Sequence, residues 1–214
     1  MIRENAHQAL QDLREVIGVY ARRSASCPSR PWPTLPAKHP RIAWRDSSRA
    51  TDNRTVRAAL VPPNTVLVHQ AYTIFFRRGD ARDEAWLLGM LSSMPFDWFA
   101  RQFVESHVTV EFLTSTPVPV RDRDSTLQRR VEQIAGRLAA VDRRYRRWAE
   151  IVAVPVASVT DDERPNLLAE LDAAVALLYG LTQSDVRLIY DTFHEGADYA
   201  KHRDAVITHM RSIR

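Results

Sequence analysis

Four arginines, Arg41, Arg45, Arg49 and Arg54, follow one another at intervals of 4, 4 and 5 residues, among Asp46, Ser47, Ser48, Thr51, Asp52 and Asn53. A guanidinium is a planar fork of donors that matches a phosphate or the guanine edge. With hydroxyls and an amide beside it, the stretch can supply phosphate contacts plus one or two contacts to base edges. Arg41, Arg45, Ser47, Arg49, Asn53 and Arg54 are therefore candidate DNA-binding residues. The same arginines can instead pair with Asp46 and Asp52 at a strand edge, and spacing alone does not separate the two readings.

Other chemistries find less support. A methyltransferase using S-adenosylmethionine needs a glycine-rich turn after its first strand, because only bare backbone lets the cofactor approach so closely. The six glycines, Gly18, Gly79, Gly89, Gly136, Gly180 and Gly196, are too dispersed for that turn or for a phosphate-cradling loop. Val61-Pro62-Pro63-Asn64 reverses the order of Asn, two prolines and an aromatic that holds a flipped base's amine. Asp97, Glu105 and Glu111 flank His107 with no lysine nearby, and His39, His69, His107, His194 and His202 are scattered. Cys27 stands alone in a Ser/Pro-rich stretch, so no disulfide framework or multi-thiolate site can form within one chain. The expectation is a chain without cofactor, metal or catalytic activity of its own.

A net charge of +4 is compatible with a nucleic-acid partner but modest for 214 residues. Of the 30 basic residues only Lys38 and Lys201 are lysine, a bias that suits phosphate recognition and equally suits a GC-rich coding sequence. With 45% hydrophobic and 26% charged residues a packed core is expected. No stretch approaches the roughly 18 apolar residues of a membrane helix, and the start of the chain is polar and mixed in charge, which predicts a cytoplasmic location.

The elements that must position these residues follow from periodicity. Leu10, Leu13, Ile17 and Tyr20 predict a helix over about residues 4 to 23, and the prolines and serines of Ser24 to Pro40 predict an extended connector. Arg41 to Trp44, Thr55 to Leu60, Thr65 to Phe76 and His107 to Leu113 read as strands, with helix over Asp83 to Phe103 and a second helix starting at Pro95. From Leu127 to Val152 apolar residues step by 4 and 3 in a seven-residue repeat, which predicts one helix over 126–153 with a seam of roughly 38 Å. Ser125 with Gln128, Thr160 with Glu163, and Thr182 with Asp185 are capping boxes, and a basic helix runs from Ala200. The predicted fold is α+β, a small mixed recognition domain (41–122) between an N-terminal helix with its connector (1–40) and an antiparallel helical tail (123–214).

Arg41 to Thr55 (RIAWRDSSRATDNRT) with Ala58 to Pro63 (AALVPP) resembles the C-terminal region of large adenine-N6 methyltransferases of restriction-modification and phage-defence systems, including fused type II enzymes. Ala85 to Ser93, Phe96 to Arg101, Pro117-Val118-Pro119, Leu177 to Thr182 and Ile189 to Phe193 extend the resemblance over about residues 41 to 205. His107 to Leu113 and His69 to Tyr72 depart from the family pattern. In that family the matching region follows the catalytic domain and belongs to target recognition. The resemblance thus implies sequence-specific binding of double-stranded DNA, adds His69 and Arg101 to the candidate contacts, and implies a catalytic methyltransferase or restriction subunit, or a missing N-terminal part, as partner. Two alternatives stay open: an inactive remnant of the larger enzyme, and a protein-interaction module whose 126–153 seam binds a partner helix or a second copy.

Overall fold

Ile42, Leu60 and Ile74 are almost inaccessible to solvent, and they lie opposite one another on three strands. In β2 (Arg41–Arg45), Ile42 faces Leu60 of β3 (Ala58–Val61) on one side and Ile74 of β4 (Ala71–Phe76) on the other, both antiparallel. Trp44 lies 5.3 Å from the Tyr72 ring and donates its indole N–H to the Val108 carbonyl at 2.8 Å. A short strand β1 (Ile17–Val19) adds to the free side of β4, giving the order β1-β4-β2-β3. The computed structural model describes residues 17–19, 35–49, 52–76, 79–193 and 199–213. Most of the helix expected over 4–23, most of the 24–40 connector and Cys27 lie outside them, and at 17–19 the chain is strand rather than helix.

Eight α-helices follow among the described residues, so the class is α+β with a helix-rich C-terminal part. Helix α1 (Ala81–Ser92) opens with a reciprocal capping box between Asp80 and Asp83. Gly89 faces α4 (Thr126–Ala139), where an added Cβ would stand 2.5 Å from Val131 Cγ1. That close approach, and not a turn, is why a glycine sits mid-helix. Ser93 caps α2 (Met94–Arg101), with Pro95 in the first turn as its spacing predicts.

Three expectations are corrected. His107 makes only a single bridge to Ser47, and the segment after it is helix α3 (Val110–Ser115), capped by Thr109. The strand expected from Thr55 starts at Ala58, because the Thr55 and Val56 amides are taken by the Asp97 carboxylate. The strand expected from Thr65 starts at Ala71, after a turn with Asn64 at φ 61° and with the Thr65 carbonyl taken by Arg41.

The seam helix is also two pieces. After α4, Ala140 leaves the helical region and its carbonyl accepts the Ala157 amide at 3.1 Å. Asp142 then accepts the Arg144 amide at 2.9 Å and starts a 3-10 turn, Arg143–Tyr145, that leads into α5 (Arg146–Val152). Val131, Ile134, Trp148 and Val152 remain buried, within the chain's own core.

Helices α6 (Glu163–Leu178), α7 (Gln183–Thr192) and α8 (Ala200–Ile213) complete the tail, with Gly180 at φ 71° closing α6 and the Thr182–Asp185 box opening α7. One buried cluster joins Trp44 and Ile74 of the sheet to Trp86 and Met90 of α1, Val131 of α4 and Leu171 of α6. A second gathers Ala173, Val186, Phe193 and Met210. Asp172, 3% exposed inside α6, accepts the Met94 amide at 2.7 Å and the Tyr190 hydroxyl at 2.7 Å, and lies 2.8 Å from His202 Nε2. It ties α2, α7 and α8 to α6. Among the described residues no helix is long and apolar enough to cross a membrane.

Candidate nucleic-acid interface

Where β2 ends, the chain is threaded between two neighbours. Asp46 donates its amide to the Gln70 carbonyl at 2.9 Å and accepts the Val108 amide at 2.8 Å, and Ser48 donates to the Ser106 carbonyl at 2.9 Å. These bonds fix the backbone of residues 46–48 beside the turn at His69 and the segment that carries His107. Ser47, His69 and His107 are all exposed on the resulting rim. His107 Nδ1 stands 3.3 Å from Asp46 Oδ2, and its ring remains more than half exposed.

The loop that follows is clamped from within by two aspartates. Asp52 forms an ion pair with Arg45, accepts the Arg49 amide at 3.3 Å and lies 3.9 Å from Arg57, while its main-chain carbonyl receives Arg101 Nη2 at 2.5 Å. Desolvation pushes the Asp52 carboxyl up, but the Arg45 hydrogen bond and charge outweigh it and hold the group below its usual range. Asp97, wholly buried on α2, accepts the Thr55 amide at 3.0 Å and the Val56 amide at 2.6 Å and faces Arg54 Nε at 3.4 Å. Burial raises its carboxyl despite Arg54 and the two amides.

These bonds divide the candidate residues into braces held by the fold and residues left exposed. Arg41 is 4% exposed, donates to the Thr65 carbonyl at 2.7 Å, and has a guanidinium whose pKa burial lowers; it faces the interior. Arg45 and Arg54 are committed to Asp52, to Asp97 and to the Ser92 carbonyl, as the alternative of strand-edge pairing anticipates for Arg45. Arg101 reaches the Asp52 carbonyl with its guanidinium 4.4 Å over the Phe193 ring. Ser47, Arg49 and Asn53 are exposed, and the Arg49 guanidinium meets no partner among the described residues.

Sequence reasoning missed two groups. Arg57, with 44% of its side chain exposed, and His107 join the same surface, and neither belongs to the four-residue spacing that draws attention to the stretch. Arg143, Arg144, Arg146 and Arg147 form a second basic surface at the other end of the sheet. Four arginines in five residues are a visible signal, but the seam spacing of Tyr145 and Trp148 absorbs them. Against known proteins, no protein-family model and no curated protein matches the chain.

Proposed function

We propose that the chain is the sequence-specific DNA-recognition portion of an adenine methyltransferase of restriction-modification or phage-defence type, reading duplex DNA through the rim at the end of β2. The observation that carries the reading is the division of labour within Arg41 to Thr55, the string that resembles that family. Arg45 and Arg54 brace the chain around Ser47, Arg49 and Asn53, which stand outward with Arg57 and His107 beside them, while Arg41 is held by the Thr65 carbonyl at the other end of β2. Bonds from Asp52 and from the buried Asp97 fix the described backbone at Arg49, Thr55 and Val56, so donors there are presented at set positions and little ordering entropy is lost on binding. Base-edge readout requires that fixity, whereas phosphate attraction alone does not. Methyl transfer is assigned to a catalytic domain or subunit outside these 214 residues, and the setting is the cytoplasm, where such systems meet DNA.

The test is binding to duplex DNA across a range of salt concentrations. Affinity should fall linearly on a log-log scale, by about 0.9 per phosphate contacted, and Arg49→Ala and Arg57→Ala should each flatten that slope by about one. Absent or salt-independent binding refutes the reading. With labelled S-adenosylmethionine the chain alone should transfer no methyl group to DNA, and appreciable turnover overturns the assignment of catalysis to a partner.

A further inference from the structure

Beyond the rim, the start of β2 and the end of β4 open into a cleft of about 940 Å³. Its basic wall is built by two aromatic pins three residues apart. Tyr145 donates its hydroxyl to the Leu60 carbonyl at 2.8 Å, and Trp148 donates its indole N–H to Glu84 Oε2 at 2.8 Å. With these two side chains turned inward, Arg143, Arg144, Arg146 and Arg147 are all forced outward and exposed. Arg143 opens the 3-10 turn and Arg146 and Arg147 open α5, and all three line the cleft.

Two of the acids around the cleft are already ion-paired and a third is hydrogen-bonded. Asp142 is paired with Arg144 at 2.6 Å, and Asp80 with Arg123 at 2.9 Å. Glu84 is held by Trp148, and burial pushes its carboxyl up to about 7. Arg143, Arg146 and Arg147 meet no carboxylate among the described residues. Across the cleft, Lys38 Nζ is held at 2.9 Å by the Asn64 side chain. Three guanidiniums with no carboxylate partner among the described residues suit several backbone phosphates rather than one, since a single phosphodiester would compensate one charge of the three.

We propose that this cleft is a second, sequence-independent anchor for the sugar-phosphate backbone of the same DNA, engaging it away from the bases that the rim reads. The proposal rests on the reading of the rim as a DNA contact. The five residues of β2 separate the two surfaces by about 17 Å at roughly 3.3 Å per residue, or about five base-pair steps of roughly 3.4 Å. An anchor at that offset adds affinity without adding base readout.

The experiment uses the full chain and a duplex of about 30 base pairs of mixed composition, with salt titrations of three proteins. The cleft variant Arg143→Ala/Arg146→Ala/Arg147→Ala should flatten the log-log slope by about two to three and weaken binding at physiological salt at least about tenfold. A control with the same loss of charge, Arg129→Ala/Arg164→Ala/Arg187→Ala, takes exposed arginines off the cleft and should flatten it by less than about one. Equal thermal midpoints show that both variants fold. If the cleft variant matches the control while Arg49→Ala/Arg57→Ala still flattens the slope, the anchor is overturned and the rim stands. If the unaltered chain shows no salt-dependent binding, both fall. A nucleoside triphosphate is titrated in a parallel arm, and saturable nucleotide binding lost in the cleft variant with an unchanged DNA slope would mark a small-phosphate site and overturn the anchor.

Discussion

Asp97 accepts the amide of Val56 at 2.6 Å across 41 residues of sequence. With its other oxygen on the Thr55 amide, this one carboxylate decides where β3 begins and where the loop before it ends. Asp97→Ala leaves two buried amides without their acceptor and Arg54 without its carboxylate, and should cost on the order of 3–5 kcal/mol in urea unfolding. Binding to duplex DNA should be lost with it. A variant that unfolds at the same denaturant concentration as the parent would show that the clamp is dispensable.

Arg45 and Arg49 look alike in the sequence and differ in the structure. Arg45 is ion-paired to Asp52, whereas Arg49 extends into solvent. Arg45→Ala should therefore lower the melting temperature along with DNA affinity, while Arg49→Ala should flatten the salt dependence and leave the melting temperature within about a degree. Identical behaviour of the two variants in both measurements would contradict the division into braces and contacts.

A buried ionic joint holds α1 to the tail. Glu132, 1% exposed on α4, accepts Arg82 Nε at 2.8 Å and Arg121 Nη2 at 2.6 Å, and Arg121 also reaches Asp83 at 3.1 Å and Gln128 Oε1 at 3.0 Å. Arg121→Ala removes the shared partner of two buried carboxylates and should destabilise the fold by about 3–5 kcal/mol. Chemical unfolding checks it, and a loss under about 1 kcal/mol would mean that Arg82 and Arg123 compensate.

Glu84 gives a pH dependence with a definite sign. Its folded carboxyl is raised to about 7, chiefly by burial and also by Asp80 and Asp83, against an ordinary value of 4.5. Between these values the folded state binds more protons than the unfolded one, so this group removes stability as pH rises from 4.5 through 7 and removes no more above that. Glu84→Gln keeps an acceptor for Trp148 and cannot ionise. Relative to the parent, the variant should gain stability across that window, by up to about 3 kcal/mol, when unfolding is compared at pH 4 and pH 8. A stability difference that does not change with pH would sink this account of Glu84.

Helix existence is legible in the sequence because it depends on local signals: the caps at Ser125 and Thr182, Pro95 in a first turn, and the 3- and 4-residue steps of the tail. The break at Ala140 is not, because its cause is an amide 17 residues further on, and the apolar steps continue across it undisturbed. His107 to Leu113 misleads for the opposite reason, since its β-branched residues suit a strand while Thr109 caps a helix instead. For the site, the sequence locates the arginines and offers Asp52 as a partner, but it does not offer Asp97. Which of them are braces is decided by Asp52 and Asp97, the second of which arrives from helix α2.

Selection from a pool of randomised DNA duplexes tests the central claim most directly. The full chain should enrich one short motif, and Arg49→Ala or Asn53→Ala should blur or abolish it while Arg143→Ala/Arg146→Ala/Arg147→Ala leaves its sequence unchanged. Retention of duplexes with no enriched motif would contradict sequence-specific recognition by the rim.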